Sequence, residues 1–220
     1  MVFFGTGVSN SISGSPTTYG AGGPGANGST TTVAVAGTAN TGNGANTAVG
    51  SSALYSNTAA NNTAVGYQAL YTSDSTYFNV AIGYRAMRQN TTGDYNTAVG
   101  YQSLYNNTTA TFNTAIGYRS LYTNTIGVNN TALGVTALQN LVSGNYNVAV
   151  GYAAMLNTTY SNYNVAMGYM AMRTNTTGDY NTTVGYQTLY SNTTGTNAIA
   201  IGYQALYNTD QTQYNLGIGY

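Results

Sequence analysis

A glycine returns along most of this chain at an almost fixed interval, and that interval limits what the chain can fold into. The glycines closing Asn-x-Ala-Val-Gly-like blocks are Gly50, Gly66, Gly83, Gly100, Gly117, Gly134, Gly151, Gly168, Gly185, Gly202 and Gly219, the first spacing being 16 and the other nine 17. The columns around that glycine are chemically strict. One residue before it, all eleven positions are aliphatic; two before, nine of eleven are Ala; four before, ten of eleven are Asn. One residue after it, nine are Tyr, and four after it every complete unit has Leu or Met, from Leu54 to Leu206. Each unit holds one β-like run (Asn-Thr-Ala-Val-Gly-Tyr), one short apolar run (Ala-Leu-Tyr) and a variable turn-rich loop such as 90–95. Neither run is long enough to bury a face alone, so units must stack on their neighbours.

Stacking ~4.8 Å apart pairs each strand with its equivalent above and below. The pattern therefore predicts an all-β fold, a parallel β-solenoid (β-roll) of about ten 17-residue coils over residues 43–220. At that rise the rod is roughly 50 Å long. A helix is excluded, because Gly recurs in mid-segment and no apolar face at a 3.6 period survives across a unit. A coarser copy supports the stack: AMRQNTTGDYNTAVGYQSLY at 86–105 returns as AMRTNTTGDYNTTVGYQTLY at 171–190, an offset of 85, five whole units. The chain stops at Gly219-Tyr220 in mid-unit. That leaves open strand edges, so either more chain beyond or end-to-end docking on another copy is expected.

Alternation along the first strand puts Asn, Ala and Gly on one side and Thr or Val, the aliphatic residue and Tyr on the other. The aliphatic column is expected to meet the Leu/Met column in a thin core, with the small Ala/Gly side approaching another backbone. Asn46, Asn62, Asn79, Asn96, Asn113, Asn130, Asn147, Asn164, Asn181 and Asn215 form the Asn column. Stacked amides there are expected to bond to each other and to turn backbone as a structural ladder. Tyr67, Tyr84, Tyr101, Tyr118, Tyr152, Tyr169, Tyr186 and Tyr203 form the Tyr column. Its rings either shield the ladder by stacking or offer an aromatic surface that binds sugars.

Composition narrows the chemistry. The formal net charge is zero, from four Arg and four Asp, with no Lys, Glu, His or Cys. With charge so sparse and balanced, no basic face is expected that would attract nucleic acid or an anionic membrane. Cysteine and imidazole chemistry are excluded, as is a phosphate loop with its Lys. Asp74, Asp94, Asp179 and Asp210 fall in loops of different units, Asp94 and Asp179 five coils apart, too far to act as a catalytic pair. Arg88 with Asp94, and Arg173 with Asp179, flank single loops and are expected to form weak loop-spanning salt bridges. No catalytic residue, metal ligand or cofactor is expected, and no apolar run of ~18 residues predicts a membrane-spanning helix.

Residues 1–42 differ. Ten glycines fall between Gly5 and Gly42, with both prolines, Pro16 and Pro24. This Gly-rich segment is expected to be a cap or joining element, with apolar stretches at 2–4 and 32–36 as candidate strands. Residues 1–14 carry no basic stretch followed by an apolar one, so no signal peptide is expected at this end. Of the Asn-x-Ser/Thr acceptor sequences, Asn90, Asn107, Asn157, Asn175 and Asn192 lie in the variable loops and are candidate glycosylation sites.

The blocks Asn79-Val80-Ala81-Ile82-Gly83 and Asn96-Thr97-Ala98-Val99-Gly100 resemble the head repeat of trimeric autotransporter (YadA-like) adhesins. The resemblance spans about 43–220 and implies parallel β-rolls wound three chains together on a bacterial surface. The phrase NTAVGYQAL at 62–70, and the Gly-rich stretch 11–28, are similar to segments of phage tail-fibre proteins. The expected function is a non-enzymatic structural subunit of an extracellular fibre or filament, on a cell surface or virion. Its first partner is itself, as a trimer or a head-to-tail filament. The alternative is a glycan-binding adhesin or phage tail-fibre segment. Ice binding is a third reading, weakened because Val80, Val148 and Val165 interrupt the column of Thr47, Thr63, Thr97 and Thr114.

Overall fold

The structure, a computed structural model, describes residues 8–11, 16–19, 45–209 and 213–220. Within the Gly-rich segment, β1 (Val8–Ser11) and β2 (Pro16–Tyr19) pair antiparallel. The candidate strands at 2–4 and 32–36, and most of the expected cap, lie outside the described residues.

From residue 45 on, the chain is a parallel β-solenoid. Its strands are β3 (Thr47–Val49), β4 (Thr63–Val65), β5 (Val80–Ile82), β6 (Thr97–Val99), β7 (Thr114–Ile116), β8 (Thr131–Leu133), β9 (Val148–Val150), β10 (Val165–Met167), β11 (Thr182–Val184), β12 (Ile199–Gly202) and β13 (Leu216–Gly219). They form one sheet in chain order, each parallel to the next. Register is set by the repeat: Thr97 pairs with Thr114, Ala98 with Ala115 and Val99 with Ile116. Coil-to-coil bonding continues past the strands, as Leu104 N–H donates to Ser120 O (2.9 Å) and Thr108 N–H to Thr125 O (3.1 Å). Each coil is thus tied to its neighbour through its turns as well as its strand, and adding coils extends the rod without new packing rules.

The single 16-residue spacing is absorbed in one turn. In a full unit the Asn90 side-chain amide closes a turn on the Gly93 carbonyl, three residues on (2.8 Å). In the short unit Asn57 closes on Ala59, two residues on (2.8 Å). The strands either side keep their register, Thr47 on Thr63 and Thr63 on Val80.

Which face of the strand points inward differs from the sequence expectation. Every Ala of the column, from Ala48 to Ala200, is fully buried, whereas Ile82, Ile116, Leu133, Met167 and Val184 are exposed on the outside. The core is the Ala column packed with the Leu/Met column: Leu54, Leu70, Met87, Leu104, Leu121, Leu138, Met155, Met172 and Leu189. The physical reason is parity. Asn at four before the glycine and Ala at two before share one side of an extended chain. Burying the Asn amides, which the turns need as partners, carries Ala inward and turns the larger aliphatic residue out. The coil is correspondingly thin, with a methyl group on one wall and a Leu or Met on the other.

Tight corners close so small a coil. Gln102, Leu104 and Phe112 take left-handed φ values of 53°, 50° and 60°, and equivalent residues do so in other coils. Each such corner costs a non-glycine residue about 1 kcal/mol, an opposing term the stacking must exceed. At Gly117 φ is 136°. A Cβ built there would overlap the backbone carbonyl of Gly134. The glycine column therefore follows from coil-to-coil approach as well as from φ.

Candidate functional site

The repeated side chains form files running the length of the rod. Asn46, Asn62, Asn79, Asn96, Asn113, Asn130, Asn147, Asn164 and Asn181 are buried in one inner file. Each acts twice. The Asn96 Nδ2 donates to the Ala110 carbonyl (2.8 Å), pinning strand to turn within a coil, and its Oδ1 accepts the Asn113 N–H (2.9 Å) from the next. The same link passes from Asn181 to the backbone N–H of Ala198 (2.9 Å), and Asn215 lies half-buried beyond that gap in the file. A buried amide satisfied in this way closes the coil at little desolvation cost, whereas an apolar residue there would leave the next coil's backbone N–H without its acceptor.

A second inner Asn file is one that sequence reasoning assigned to another role. Asn90, Asn107, Asn175 and Asn192 are buried rather than displayed. The Asn107 Nδ2 donates both to Asn90 Oδ1 (2.7 Å) and to the Ala110 carbonyl (3.0 Å). The Asn192 Nδ2 does likewise to Asn175 Oδ1 (2.9 Å) and the Gly195 carbonyl (3.0 Å). Both amide hydrogens of Asn107 and Asn192 are committed and no room is left for a sugar, which corrects the expectation of glycans at these four positions. Asn157 differs, being half-buried with its Oδ1 accepting from Asn140 Nδ2 (3.1 Å). The signal that could have separated the two roles was the fixed place seven residues after the glycine, shared by Asn57, Asn90, Asn107, Asn124, Asn175 and Asn192.

The Tyr column lies outside and stacks. Successive rings from Tyr67 to Tyr118 sit 5.1–5.4 Å apart. Those from Tyr152 through Tyr203 to Tyr220 sit 5.0–5.2 Å apart. Each interior ring spends both faces on its neighbours. Two further aromatic files flank this one. Phe78, Tyr95 and Phe112 stack in one, as do Tyr146, Tyr163 and Tyr180 (5.0–5.1 Å). In the other, Tyr55 stacks on Tyr71, Tyr105 on Tyr122 and Tyr190 on Tyr207 (4.9–5.2 Å). Stacked pairs add about 0.5–1.5 kcal/mol each beyond the area they cover.

Charged residues join these files instead of pairing across loops, which corrects the salt-bridge expectation. Arg88 occupies a Tyr position in its file, its guanidinium 5.0 Å from the Tyr71 ring and 5.9 Å from Tyr105. Arg173 lies 5.7 Å from Tyr190 in the same way. Asp94 accepts the Tyr77 N–H (2.6 Å) from the preceding coil. Asp179 ends a short outer ladder in which Val128 donates to Asn145 Oδ1 (2.8 Å), Asn145 to Asn162 Oδ1 (3.0 Å) and Asn162 to Asp179 Oδ1 (2.5 Å).

Between two aromatic files, the sheet shows its outer face. It presents the Thr/Val column beside the aliphatic column, eleven coils of Val49, Val65, Ile82, Val99, Ile116, Leu133, Val150, Met167, Val184, Ile201 and Ile218, half-buried or exposed throughout. This apolar face is the principal candidate surface of the rod. Compared with known proteins, the chain matches no family model, and no curated protein or solved structure is significantly similar to it.

Proposed function

We propose that the chain is a non-enzymatic structural subunit of an extracellular fibre that associates with copies of itself through the outer face of its parallel sheet. The observation that carries this reading is the outward aliphatic column. Its length is about ten rises of ~4.8 Å, and its width with the Thr/Val column and flanking rings is ~15 Å, roughly 700 Å². Six of the eleven Thr/Val-column residues are threonines, so the apolar part is smaller than this area. An aliphatic column unbroken over eleven strands is nonetheless a contiguous patch that monomeric proteins rarely leave uncovered. One partner of a stable interface contributes about 800 Å², so the face suits a second copy laid sheet against sheet. The near absence of charge supports the same reading, since four Arg and four Asp in 220 residues give little repulsion between copies. The outer rows of Thr and Tyr, and the resemblance to adhesin heads and tail fibres, favour a place outside the cell or on a virion.

The test is sedimentation velocity on the full chain and on the double variant Ile82→Asp/Val184→Asp. Both positions point outward at 39% exposure, so the coil should fold unchanged by circular dichroism. The wild type is expected to sediment as dimers or larger and the variant as a monomer, because burying a carboxylate in an apolar interface is prohibitive. A monomeric wild type at ~100 μM, above the Kd of any interface this size that builds a fibre, refutes the proposal.

A further inference from the structure

The three aromatic files break together in one coil. Where the other interior coils keep at least one ring, the coil of Gly134 places Asn129, Val135 and Gln139 at the three ring positions. In the Tyr file this interruption leaves Tyr118 and Tyr152 facing each other across a single missing rung. Rungs on either side are 5.2 Å, Tyr101 to Tyr118 and Tyr152 to Tyr169. Two such steps set the facing rings about 10 Å apart, with the centre of the gap about 5 Å from each. Val135, itself 43% exposed, ends in two methyl groups at the floor of the gap and does not reach the ring position. Tyr118 and Tyr152 are 44% and 47% exposed, at the upper edge of the 38–43% of Tyr84, Tyr101, Tyr169, Tyr186 and Tyr203, which have rings on both sides.

We propose that this gap is a binding slot for one pyranose ring, held between Tyr118 and Tyr152. A pyranose is a six-membered ring with C–H bonds on its faces and hydroxyls around its rim. Its faces meet the electron-rich faces of the two phenols, which stack on any flat apolar ring surface. Its rim meets polar groups. The Tyr118 and Tyr152 hydroxyls stand at the outer edge. The Gln139 carboxamide stands in the neighbouring file of the same coil. These two files are close, because the Arg119 guanidinium touches both, 5.4 Å from the Tyr118 ring and 5.2 Å from Tyr122. The Arg119 Nε donates to Gln102 Oε1 (2.9 Å), which ties this side chain to the preceding coil rather than to the coil of Val135. A purely aromatic guest would use the faces and leave these rim groups unengaged, so the site favours a sugar over a benzene ring.

Saturation-transfer-difference NMR on the full chain tests the proposal, with methyl β-D-glucopyranoside, methyl β-D-galactopyranoside, methyl α-D-mannopyranoside and N-acetyl-D-glucosamine as probes and p-cresol as the aromatic comparison. At least one pyranoside is expected to receive saturation at its ring C–H protons. Val135→Tyr completes the file, should fold with an unchanged or higher Tm, and should abolish that signal. Tyr152→Ala removes one wall and should weaken binding about tenfold. The measurement is repeated on Ile82→Asp/Val184→Asp, whose substitutions lie away from this coil, so that self-association and sugar binding fail or succeed separately. The proposal is overturned if none of the four sugars receives saturation, if Val135→Tyr binds as the wild type does, or if p-cresol binds and the sugars do not.

Discussion

Asn113 is a rung whose removal can be costed bond by bond. Its Oδ1 accepts the Asn130 N–H (2.9 Å), and its Nδ2 donates to the Gly127 carbonyl (2.9 Å) and to Asn96 Oδ1 (3.3 Å). In Asn113→Ala the Gly127 carbonyl keeps the Asn124 amide (2.9 Å), and Asn96 Oδ1 keeps the Asn113 backbone N–H (2.9 Å). The Asn130 N–H loses its acceptor in a fully buried place, which costs about 1–3 kcal/mol. A cavity of about three heavy atoms adds to that, so the expected loss is about 2–4 kcal/mol. The isosteric change Asn113→Asp is sharper. It keeps the acceptor for Asn130 but turns a carboxylate oxygen onto the Gly127 carbonyl, and an uncompensated buried charge costs about 3–5 kcal/mol at neutral pH. Burial disfavours the charged form, so the new carboxyl titrates higher in the folded coil than in the unfolded chain. By linkage the destabilisation grows as pH rises through the unfolded value towards the folded one, and is relieved in acid, where the protonated group can donate to Gly127. Urea unfolding followed by far-ultraviolet circular dichroism, at pH 4 and pH 7, measures both. A stabilising role for the ladder is refuted if Asn113→Ala lies within ~0.5 kcal/mol of the wild type, or if Asn113→Asp loses the same stability at both pH values.

Three other substitutions probe the remaining columns. Leu121→Ala should cost about 2–5 kcal/mol and Ile116→Ala under about 1 kcal/mol, measured on monomeric protein, because Leu121 is fully buried and Ile116 points outward; equal losses would mean that the inner and outer columns are misassigned. Gly117→Ala should lower stability by more than about 3 kcal/mol or prevent folding, since φ is 136° and the added methyl meets the Gly134 backbone; a thermal melt like that of the wild type contradicts the close stacking. Thr158→Asn should raise stability by about 1 kcal/mol, because the buried Thr158 hydroxyl has no hydrogen-bond partner in the second Asn file and an amide there can reach the Ser161 carbonyl as Asn175 reaches Gly178 (2.7 Å). A lower Tm would show that the file has no space for it.

The apolar face, the slot and the ladders divide cleanly by what produced them. A 17-residue period with strict columns is a one-dimensional fact, and stacking is the single arrangement that lets units too short to bury a face supply one another's core. The parallel register of Thr97 on Thr114 follows from it, as does the alignment of Asn on Asn and Tyr on Tyr. Even the slot at Val135 is marked in the chain as a place where Tyr fails to recur, although only stacked rings make it a gap between two faces. The inward direction was not legible. Ala98 lies one residue from Thr97 and Val99, and both parities alternate equally well, so hydrophobicity alone favours burying Val. The closed coil decides otherwise. Left-handed corners at residues such as Gln102 and Leu104 make it too narrow for two large side chains, and its turn carbonyls require the Asn amides inside. The same closure buried Asn107 within a loop that reads as exposed. Hydrogen-bond demand across a coil depends on which backbone groups end up facing each other, and that is fixed only when the turns close.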